Sequence, residues 1–321
     1  MISIQKIIPH ASRLIYGCMN MGGSWDSSAI TLESIIQAEK IIELCFEHGI
    51  NYFDHADIYC RGKSEEVFSR ALARRPEFKE KMILQSKCSI KLEDPFPFGY
   101  YDLSHGWITQ SVEGILKRLN IDKIDILLLH RTDLLMKIEE VADTLNKLKN
   151  QGKFSHLGVS NMHGYQIELL SKYLNFPIII NQMQMSLEQV GFLEEQILAG
   201  RSEGSKHFFS PGLLDYSKLH GIQIQAWESL AKGKFSGSDI SGEGTNIHQT
   251  KAYVMELSSK YHVSHEAIVL GFLLKHPAGI QPIIGTTNLQ RIYNATESLN
   301  FELSNEEWYK LFILSRGNRL P

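Results

Sequence analysis

The sequence predicts a single-domain α/β protein of the (β/α)8 (TIM) barrel class, and three observations support this fold class. Short apolar runs alternate with longer segments of helical periodicity from residue 13 onward, a pattern typical of parallel β-α units. Eight such runs can be counted, and a closed barrel of this class needs eight strands. No break in composition divides the 321 residues. The predicted strands span residues 13–18, 51–54, 82–87, 124–130, 155–160, 177–182, 222–227 and 281–285.

The segments between these runs have the spacing of amphipathic helices. After the first run, Ile35, Ala38, Ile42 and Cys45 recur at helical intervals, and Gly49 stands where a helix would end. The same pattern occurs twice more, in Ile108, Val112, Ile115 and Leu119, and in Ile138, Val141, Leu145 and Leu148 with Gly152 after them.

Three segments fall outside this repeat. The first residues, ISIQKII, are predicted to form a short N-terminal hairpin that closes the bottom of the barrel. Residues 187–220 are longer than one crossover helix requires and are expected to be irregular. Residues 232–246 are rich in Gly and Ser and predict a flexible loop beside the mouth, although a plain linker is an equal alternative. Extended loops are therefore expected at the carboxyl-terminal face.

The charge balance argues against nucleic acid as a partner. Lys and Arg total 33 and Asp and Glu total 36, which gives a formal net charge of −3 and no basic footprint for a polyanion. No apolar run reaches the roughly 18 residues of a membrane-spanning helix, and no export signal is visible at the N-terminus. We therefore expect a protein of the cytoplasm that does not contact membranes.

Cysteine and histidine spacing predicts neither a disulfide framework nor a metal site. Cys18, Cys45, Cys60 and Cys88 show no CxxC spacing, which fits a reducing compartment. The HxxH pair at His262 and His265 lacks further ligands at zinc spacing, so a solvated helix face is the better interpretation.

Polar residues follow most of the predicted strands at their carboxyl ends, where barrels of this class carry their reactive groups. Each has an ordinary alternative when taken alone: an Asp caps a helix, a Lys is solvated, an Asn forms a turn, and a His sits at a core edge. Their convergence on one mouth carries the prediction. They are Asp54, Lys87, His130, Ser160 with Asn161, Asn181 with Gln182, and Glu228.

Four of the residues near this mouth suggest a proton-donating group. Tyr59 follows Asp54 by five residues, and a lysine ammonium such as that of Lys87 would stabilise its phenolate and lower its pKa from about 10. Asp54 would hold the lysine, and His130 would orient a substrate oxygen. The alternative for Tyr59 alone is an aromatic ring packed beneath a loop.

Several motifs in order resemble those of the aldo-keto reductase family, and within it bacterial oxidoreductases of the YdhF type. The resemblance covers nearly the whole chain. It implies a barrel that reduces an aldehyde or ketone with NADPH, acting as a monomer on a small-molecule carbonyl substrate. The motifs are SRLIYGCMNMGG, FDHADIY, QSK, LLLHR, GVSN, NQ at 181 and 182, AWESLAKGKF and PIIGTTNLQRIYNA.

The resemblance also implies roles for individual residues. Asp54, Tyr59, Lys87 and His130 match the catalytic set, and Asp54 is also counted among the cofactor contacts. Gly285 stands where several family members have a lysine, which weakens the preference for NADP over NAD. The cofactor positions are Ser160, Asn161 and Gln182 at the nicotinamide carboxamide, Trp227 stacked on the ring, Leu230 and Gly233 along the pyrophosphate, Gly17, Cys18 and Met19 in the first loop, Gly285, Thr286 and Arg291 around the 2′-phosphate, and Asn294 at the adenine.

Two other functions stay open at this point. An NADPH-binding, redox-sensing module would hold the same cofactor with only incidental turnover. A Schiff-base lyase would use Lys87 as its nucleophile, which its pairing with Asp54 disfavours. The substrate itself is not predicted, although Trp25, residues 96–101 and the stretch after Gln182 are expected to build its pocket.

Overall fold

The computed structural model describes residues 2–92, 98–206 and 208–321, and at its centre eight parallel strands form a closed barrel. Every predicted strand is present, with bounds that differ by at most two residues at either end. Each strand pairs with its neighbours along the chain, and the last pairs with the first. The barrel strands are β1 (Ile15–Gly17), β2 (Tyr52–Asp54), β3 (Ile83–Cys88), β6 (Ile124–Leu129), β7 (Phe154–Ser160), β8 (Ile178–Gln184), β9 (Gln223–Trp227) and β10 (Gln281–Ile284), while β4 (Ile90–Lys91) and β5 (Tyr100–Tyr101) form a separate antiparallel pair.

Helices follow the strands, and the predicted amphipathic segments are confirmed. The first helix begins after Thr31, whose side-chain oxygen accepts a hydrogen bond from the Ser34 amide at 3.2 Å, and the chain leaves it at Gly49 with φ +74°. The helices are α1 (Leu32–Glu47), α2 (Lys63–Leu72), α3 (His105–Leu119), α4 (Ile138–Asn150), α5 (Gly164–Ser171), α6 (Gly191–Ile197), α7 (Leu213–Leu219), α8 (Thr245–Tyr261), α9 (His265–Lys275), α10 (Leu289–Thr296) and α11 (Asn305–Arg316).

The prediction of an N-terminal hairpin is wrong, although the segment does lie at the bottom of the barrel. Residues Ser3–Lys6 form a single 3-10 turn. Ile4 is fully buried with the apolar side chains of the barrel interior, and its amide donates to Gln223 Oε1 at 3.2 Å. One turn therefore buries the apolar side chain and satisfies its backbone, so no second strand is needed.

The structure also corrects the expectation for residues 187–220, which contain two short helices, α6 and α7. Each is seven residues long, too short to show a clear period in the sequence. The predicted loop 232–246 does lie beside the mouth, anchored by the buried side chains of Phe235 and Ile240, and α8 already begins at Thr245. Among the described helices, none is long and apolar enough to cross a membrane.

Candidate active site

A cavity of about 640 Å³ lies at the carboxyl ends of the barrel strands. Parallel strands all end at the same rim, so side chains from distant parts of the chain meet there. The structure brings most of the sequence-predicted residues into its wall, and Trp25 lies there as well. The predicted site residues that line it are Gly17, Met19, Asp54, Tyr59, His130, Ser160, Asn161, Gln182, Trp227, Glu228, Leu230, Gly233, Gly285, Thr286 and Arg291.

Four predicted residues lie outside this wall, and one of them, Asn181, is fully buried and donates from Nδ2 to the Met162 carbonyl oxygen at 2.7 Å. Lys87 is fully buried beneath it. Cys18, expected in the first loop of the cofactor site, is also buried in the apolar core, and its amide donates to the Asp54 carbonyl at 2.9 Å, so that N–H is already engaged. Asn294 lines a neighbouring cavity of about 540 Å³ together with Arg291. Of the other expected pocket residues, Phe96 lies outside the described part of the chain.

At the bottom of the cavity, Lys87 joins Asp54 to Tyr59. Its Nζ lies 2.7 Å from Asp54 Oδ2, 3.0 Å from Tyr59 Oη and 2.9 Å from the His55 carbonyl oxygen. Gln85 and Lys87 are two residues apart on β3, so they share one face of that strand, and Gln85 is in register with Asp54 on β2. Strand periodicity and register thus deliver the lysine to the carboxylate.

Burial changes the expected acidity of the phenol. The expectation that Lys87 lowers the pKa of Tyr59 is wrong: that pKa is raised above its usual value, because desolvation by burial outweighs the attraction of the ammonium. Burial alone would lower the pKa of Lys87, yet the Asp54 carboxylate and the Tyr59 hydroxyl raise it on balance. Tyr59 is therefore a neutral phenol beside a charged lysine at neutral pH.

His130 faces this pair as a neutral imidazole. Its ring stands edge-on to that of Tyr59, with centroids 6.1 Å apart. Burial, together with the charges of Lys87 and Arg131, holds its pKa well below the ordinary value. Its Nδ1 is buried and makes no hydrogen bond to the described residues. A neutral imidazole keeps one N–H, which it can donate to a ligand oxygen.

Polar side chains form a connected group on the opposite wall. Trp227 Nε1 donates to Asn161 Oδ1 at 3.1 Å, and Asn161 Nδ2 donates to Ser160 Oγ at 2.7 Å. Asn161 has a φ of +57°, a left-handed conformation that Asn tolerates better than most residues. Gln182 Nε2 donates to Asp54 Oδ1 at 3.2 Å, which links this wall to the ion pair.

The cavity wall also carries Arg291. Its Nε donates to Glu266 Oε1 at 3.0 Å, and its Nη2 donates to Ser236 Oγ at 3.1 Å. Gly233 has a φ of +81°, and a Cβ there would lie 2.7 Å from Ser238 Oγ and 3.1 Å from Arg291 Nη2. The absence of a side chain at Gly233 thus leaves space beside the guanidinium.

Sequence reasoning missed several residues around this cavity. Gln85 Nε2 donates to Asp54 Oδ1 at 2.5 Å and to Gln225 Oε1 at 3.0 Å, and both glutamines are fully buried. A glutamine within an apolar strand is a usable signal that sequence reasoning overlooked. Arg131, directly after His130, also lies in the wall. Glu266 gave no sequence signal, since it reaches the site from the first turn of α9.

No group of three or more His, Cys, Asp or Glu side chains within residues 2–92, 98–206 and 208–321 is arranged to hold a metal ion. The part of the described site around Lys87 is built from Tyr59, the Asp54–Lys87 ion pair, neutral amides and His130. Such a set can hold a polar organic ligand and move a proton.

The chain belongs to the aldo/keto reductase family, whose model matches residues 13–315. It is similar to uncharacterized oxidoreductase YcsN of Bacillus subtilis, at 32% identity over 97% of this chain and 96% of the relative. It is also similar to oxidoreductase YdhF of Escherichia coli, at 29% identity over 100% and 99% of the two chains. A 6-dehydroglucose reductase of Agrobacterium fabrum is 29% identical over 96% of each.

A solved structure has the same fold at lower sequence identity. The aldo/keto reductase of Klebsiella pneumoniae in complex with NADP and acetate superposes with a TM-score of 0.72 at 21% identity, and covers 95% of this chain and 92% of that one. The family match makes this protein an oxidoreductase of the aldo-keto reductase type, and the single-domain (β/α)8 barrel agrees with it.

Proposed function

We propose that the protein reduces an aldehyde or ketone to an alcohol with NADPH, and that Tyr59 donates the proton. One observation carries the proposal: Lys87 Nζ donates to Tyr59 Oη at 3.0 Å, and Tyr59 Oη bonds to no other described side chain. The phenolic hydrogen is therefore available to an oxygen atom in the cavity. The whole chain, residues 1–321, would act as one domain on a small-molecule carbonyl, as a monomer in the cytoplasm.

The residues of the cavity fit NADPH. Ser160, Asn161 and Gln182 would hold the nicotinamide carboxamide, since amide groups complement one another as donors and acceptors. Trp227 would cover the ring face. The space that Gly233 leaves free lies beside the guanidinium of Arg291, which suits a phosphate in charge and shape.

The remaining predicted contacts would complete this binding site. When bound, NADPH supplies a hydride to the carbonyl carbon. Gly17 and Met19 would lie under the ribose, Leu230 along the pyrophosphate, and Gly285 and Thr286 beside the 2′-phosphate with Asn294 near the adenine. Cys18 is left out of this set because its side chain is buried in the apolar core and its amide donates to the Asp54 carbonyl.

The chain's own groups would control the proton. Tyr59 holds it at Oη because burial raises the pKa of the phenol, and negative charge growing on a carbonyl oxygen draws it away. Lys87 then stabilises the phenolate from 3.0 Å. His130, kept neutral, donates a hydrogen bond to the same carbonyl oxygen and orients it. Asp54 keeps the lysine charged and in place.

The alternative of a Schiff-base lyase receives little support. Lys87 is fully buried, and its pKa is raised, so the unprotonated amine that attacks a carbonyl is scarce. Treatment with borohydride and a carbonyl compound should leave Lys87 unmodified in a peptide mass map.

The variant Tyr59→Phe tests the proposed function. We expect NADPH to bind within about threefold of wild-type affinity in a fluorescence titration, while turnover of an aldehyde panel falls about 10²- to 10⁴-fold, the usual contribution of a general acid. Turnover at the wild-type rate would refute the role of Tyr59. The wild-type protein should oxidise many equivalents of NADPH, whereas a redox sensor would stop after about one.

A further inference from the structure

Arg131 lines the cavity, and its charged side chain has no partner of opposite charge among the described residues. It directly follows His130 at the end of β6, and its guanidinium carbon lies 5.8 Å from the centroid of the Trp227 ring. Its backbone amide is held by Ser89 Oγ at 2.8 Å. The side chain forms no hydrogen bond or ion pair with the described residues. Its backbone is therefore anchored, while the residue lines the cavity.

Arg131 also lies where two cavities meet. It lines the cavity of the candidate active site, and it lines a groove of about 670 Å³ whose opposite wall comes from the segment around α6. Trp227 and Asn161 are shared by the same two walls. A molecule whose carbonyl group reaches Tyr59 and His130 would extend past the guanidinium on its way into the groove.

The other charged side chains in the walls of both cavities are paired with opposite charges. Each other Asp, Glu, Lys or Arg in the described walls has a partner of opposite charge, so Arg131 leaves one uncompensated positive charge. The burial of the site strengthens its effect on a ligand. The pairs are Asp54 with Lys87, Glu228 with Lys232, Arg291 with Glu266, Glu188 with Lys234, and Glu194 with Arg316.

We propose that Arg131 is a specificity-determining residue that selects carbonyl substrates carrying an anionic group, a carboxylate or a phosphate, a few bonds from the carbonyl carbon. This inference rests on the proposed function. A guanidinium presents several N–H groups in a fixed plane that matches either anion. An uncharged substrate would leave the cation unpaired.

The test compares matched substrates in Arg131→Met and Arg131→Lys. The carboxylate pair is 4-carboxybenzaldehyde against 4-carbamoylbenzaldehyde, and the phosphate pair is glyceraldehyde 3-phosphate against glyceraldehyde. For each pair we take the ratio of kcat/KM for the anionic substrate to kcat/KM for the neutral one. Electronic differences within a pair cancel when this ratio is compared between variant and wild type. We expect Arg131→Met to lower that ratio about 10- to 100-fold for the preferred anion, and Arg131→Lys to restore part of it. The pair with the larger change identifies the anion.

Arg70→Met is the matched control, because it also removes one guanidinium, from α2 and outside both cavities. In wild type, Arg70 Nη2 lies 3.5 Å from Glu66 Oε2. Arg70→Met should leave every ratio unchanged. Melting temperatures of all variants show whether Arg131→Met is folded. If it is not, the same substrate ratios are compared between Arg131→Lys and wild type. An equal loss on charged and neutral substrates in Arg131→Met would overturn the proposal.

A binding measurement separates this proposal from the proposed function. Benzoate, benzamide and inorganic phosphate are titrated calorimetrically into wild type and variants, with and without NADP. Benzoate or phosphate should bind wild type at least about tenfold more tightly than Arg131→Met, with benzamide unaffected. If the anions bind in this way but the protein reduces no aldehyde, the reductase function is refuted and the anion site is still supported. Equal affinities of the anions for both proteins would refute the anion site.

Discussion

Replacement of Asp54 by Asn would leave the Lys87 ammonium buried without its counter-charge. The side chain of Lys87 is fully buried, that of Asp54 is 3% exposed, and their charged atoms lie 2.7 Å apart. Breaking a buried ion pair from one side costs about 3–5 kcal/mol. Two acceptors of Lys87 remain, the His55 carbonyl and Tyr59 Oη, so we expect a loss near 3 kcal/mol in the free energy of unfolding.

The contribution of Lys87 to the pH dependence of stability should also have the opposite sign in Asp54→Asn and in wild type. In wild type the pKa of Lys87 is raised on folding, so its contribution is complete below about pH 10.4 and is lost as the pH rises beyond it. Without Asp54, burial lowers that pKa, and the unfolded chain binds more protons over the window up to about pH 10.4. The stability of Asp54→Asn should therefore rise between pH 7 and 9.5, relative to wild type.

Urea unfolding followed by circular dichroism at pH 7 and pH 9.5 measures both effects. Asp143→Asn is the control, because its ion pair with Lys147 is also short, 2.6 Å, but its side chain is 63% exposed. That change should cost only about 0.3–0.5 kcal/mol. The double variant Asp54→Asn with Lys87→Met should recover part of the loss, since the buried charge is gone. The reasoning is refuted when Asp54→Asn behaves like Asp143→Asn at both pH values.

Three further predictions concern the same face of the barrel. Gly233→Ala should weaken NADPH binding about tenfold in a fluorescence titration and cost about 1–2 kcal/mol of stability, whereas Gly200→Ala, at φ +77° with open space around it, should cost stability alone. Burial keeps the pKa of His130 well below its ordinary value, so His130 should not titrate between pH 6 and 8. The pH profile of kcat/KM over that range should therefore have the same shape in wild type and in His130→Gln. Burial and the nearby Glu65 raise the pKa of Asp57 to about 7. The stability linked to its proton is therefore fully present below about pH 4 and is lost as the pH rises through 7. Asp57→Asn should raise the melting temperature more at pH 8 than at pH 5.

The sequence was sufficient for the strands because each one is an apolar run in a chain that otherwise follows a helical period. Asp54, Tyr59 and His130 reach the cavity because they stand at or just after strand ends, and that position follows directly from the strand prediction. The N-terminal turn could not be predicted from local pattern. It depends on the distant Gln223, which accepts the Ile4 amide across the closed barrel.

The acidity of the site could not be predicted from residue types alone. A lysine beside a tyrosine suggests a lowered pKa, and only the depth of burial reverses the net direction for Tyr59. The pairing of Arg291 with Glu266 is equally hidden, because the two residues are 25 positions apart on α10 and α9. Both facts need the packed structure, since desolvation and long-range pairing are properties of three-dimensional neighbours.

The neutral amides inside the barrel explain how a buried carboxylate can serve a proton donor. Asp54 Oδ1 accepts from Gln85 at 2.5 Å and from Gln182 at 3.2 Å, while Oδ2 faces Lys87. Amides satisfy the carboxylate without adding charge, so Lys87 is the cation bonded to Asp54, and its other hydrogen bonds go to the oxygen of Tyr59 and to the His55 carbonyl. A second cation at Asp54 would compete for the carboxylate. The glutamines therefore keep one ammonium bound to both groups, the arrangement on which the proposed proton transfer depends.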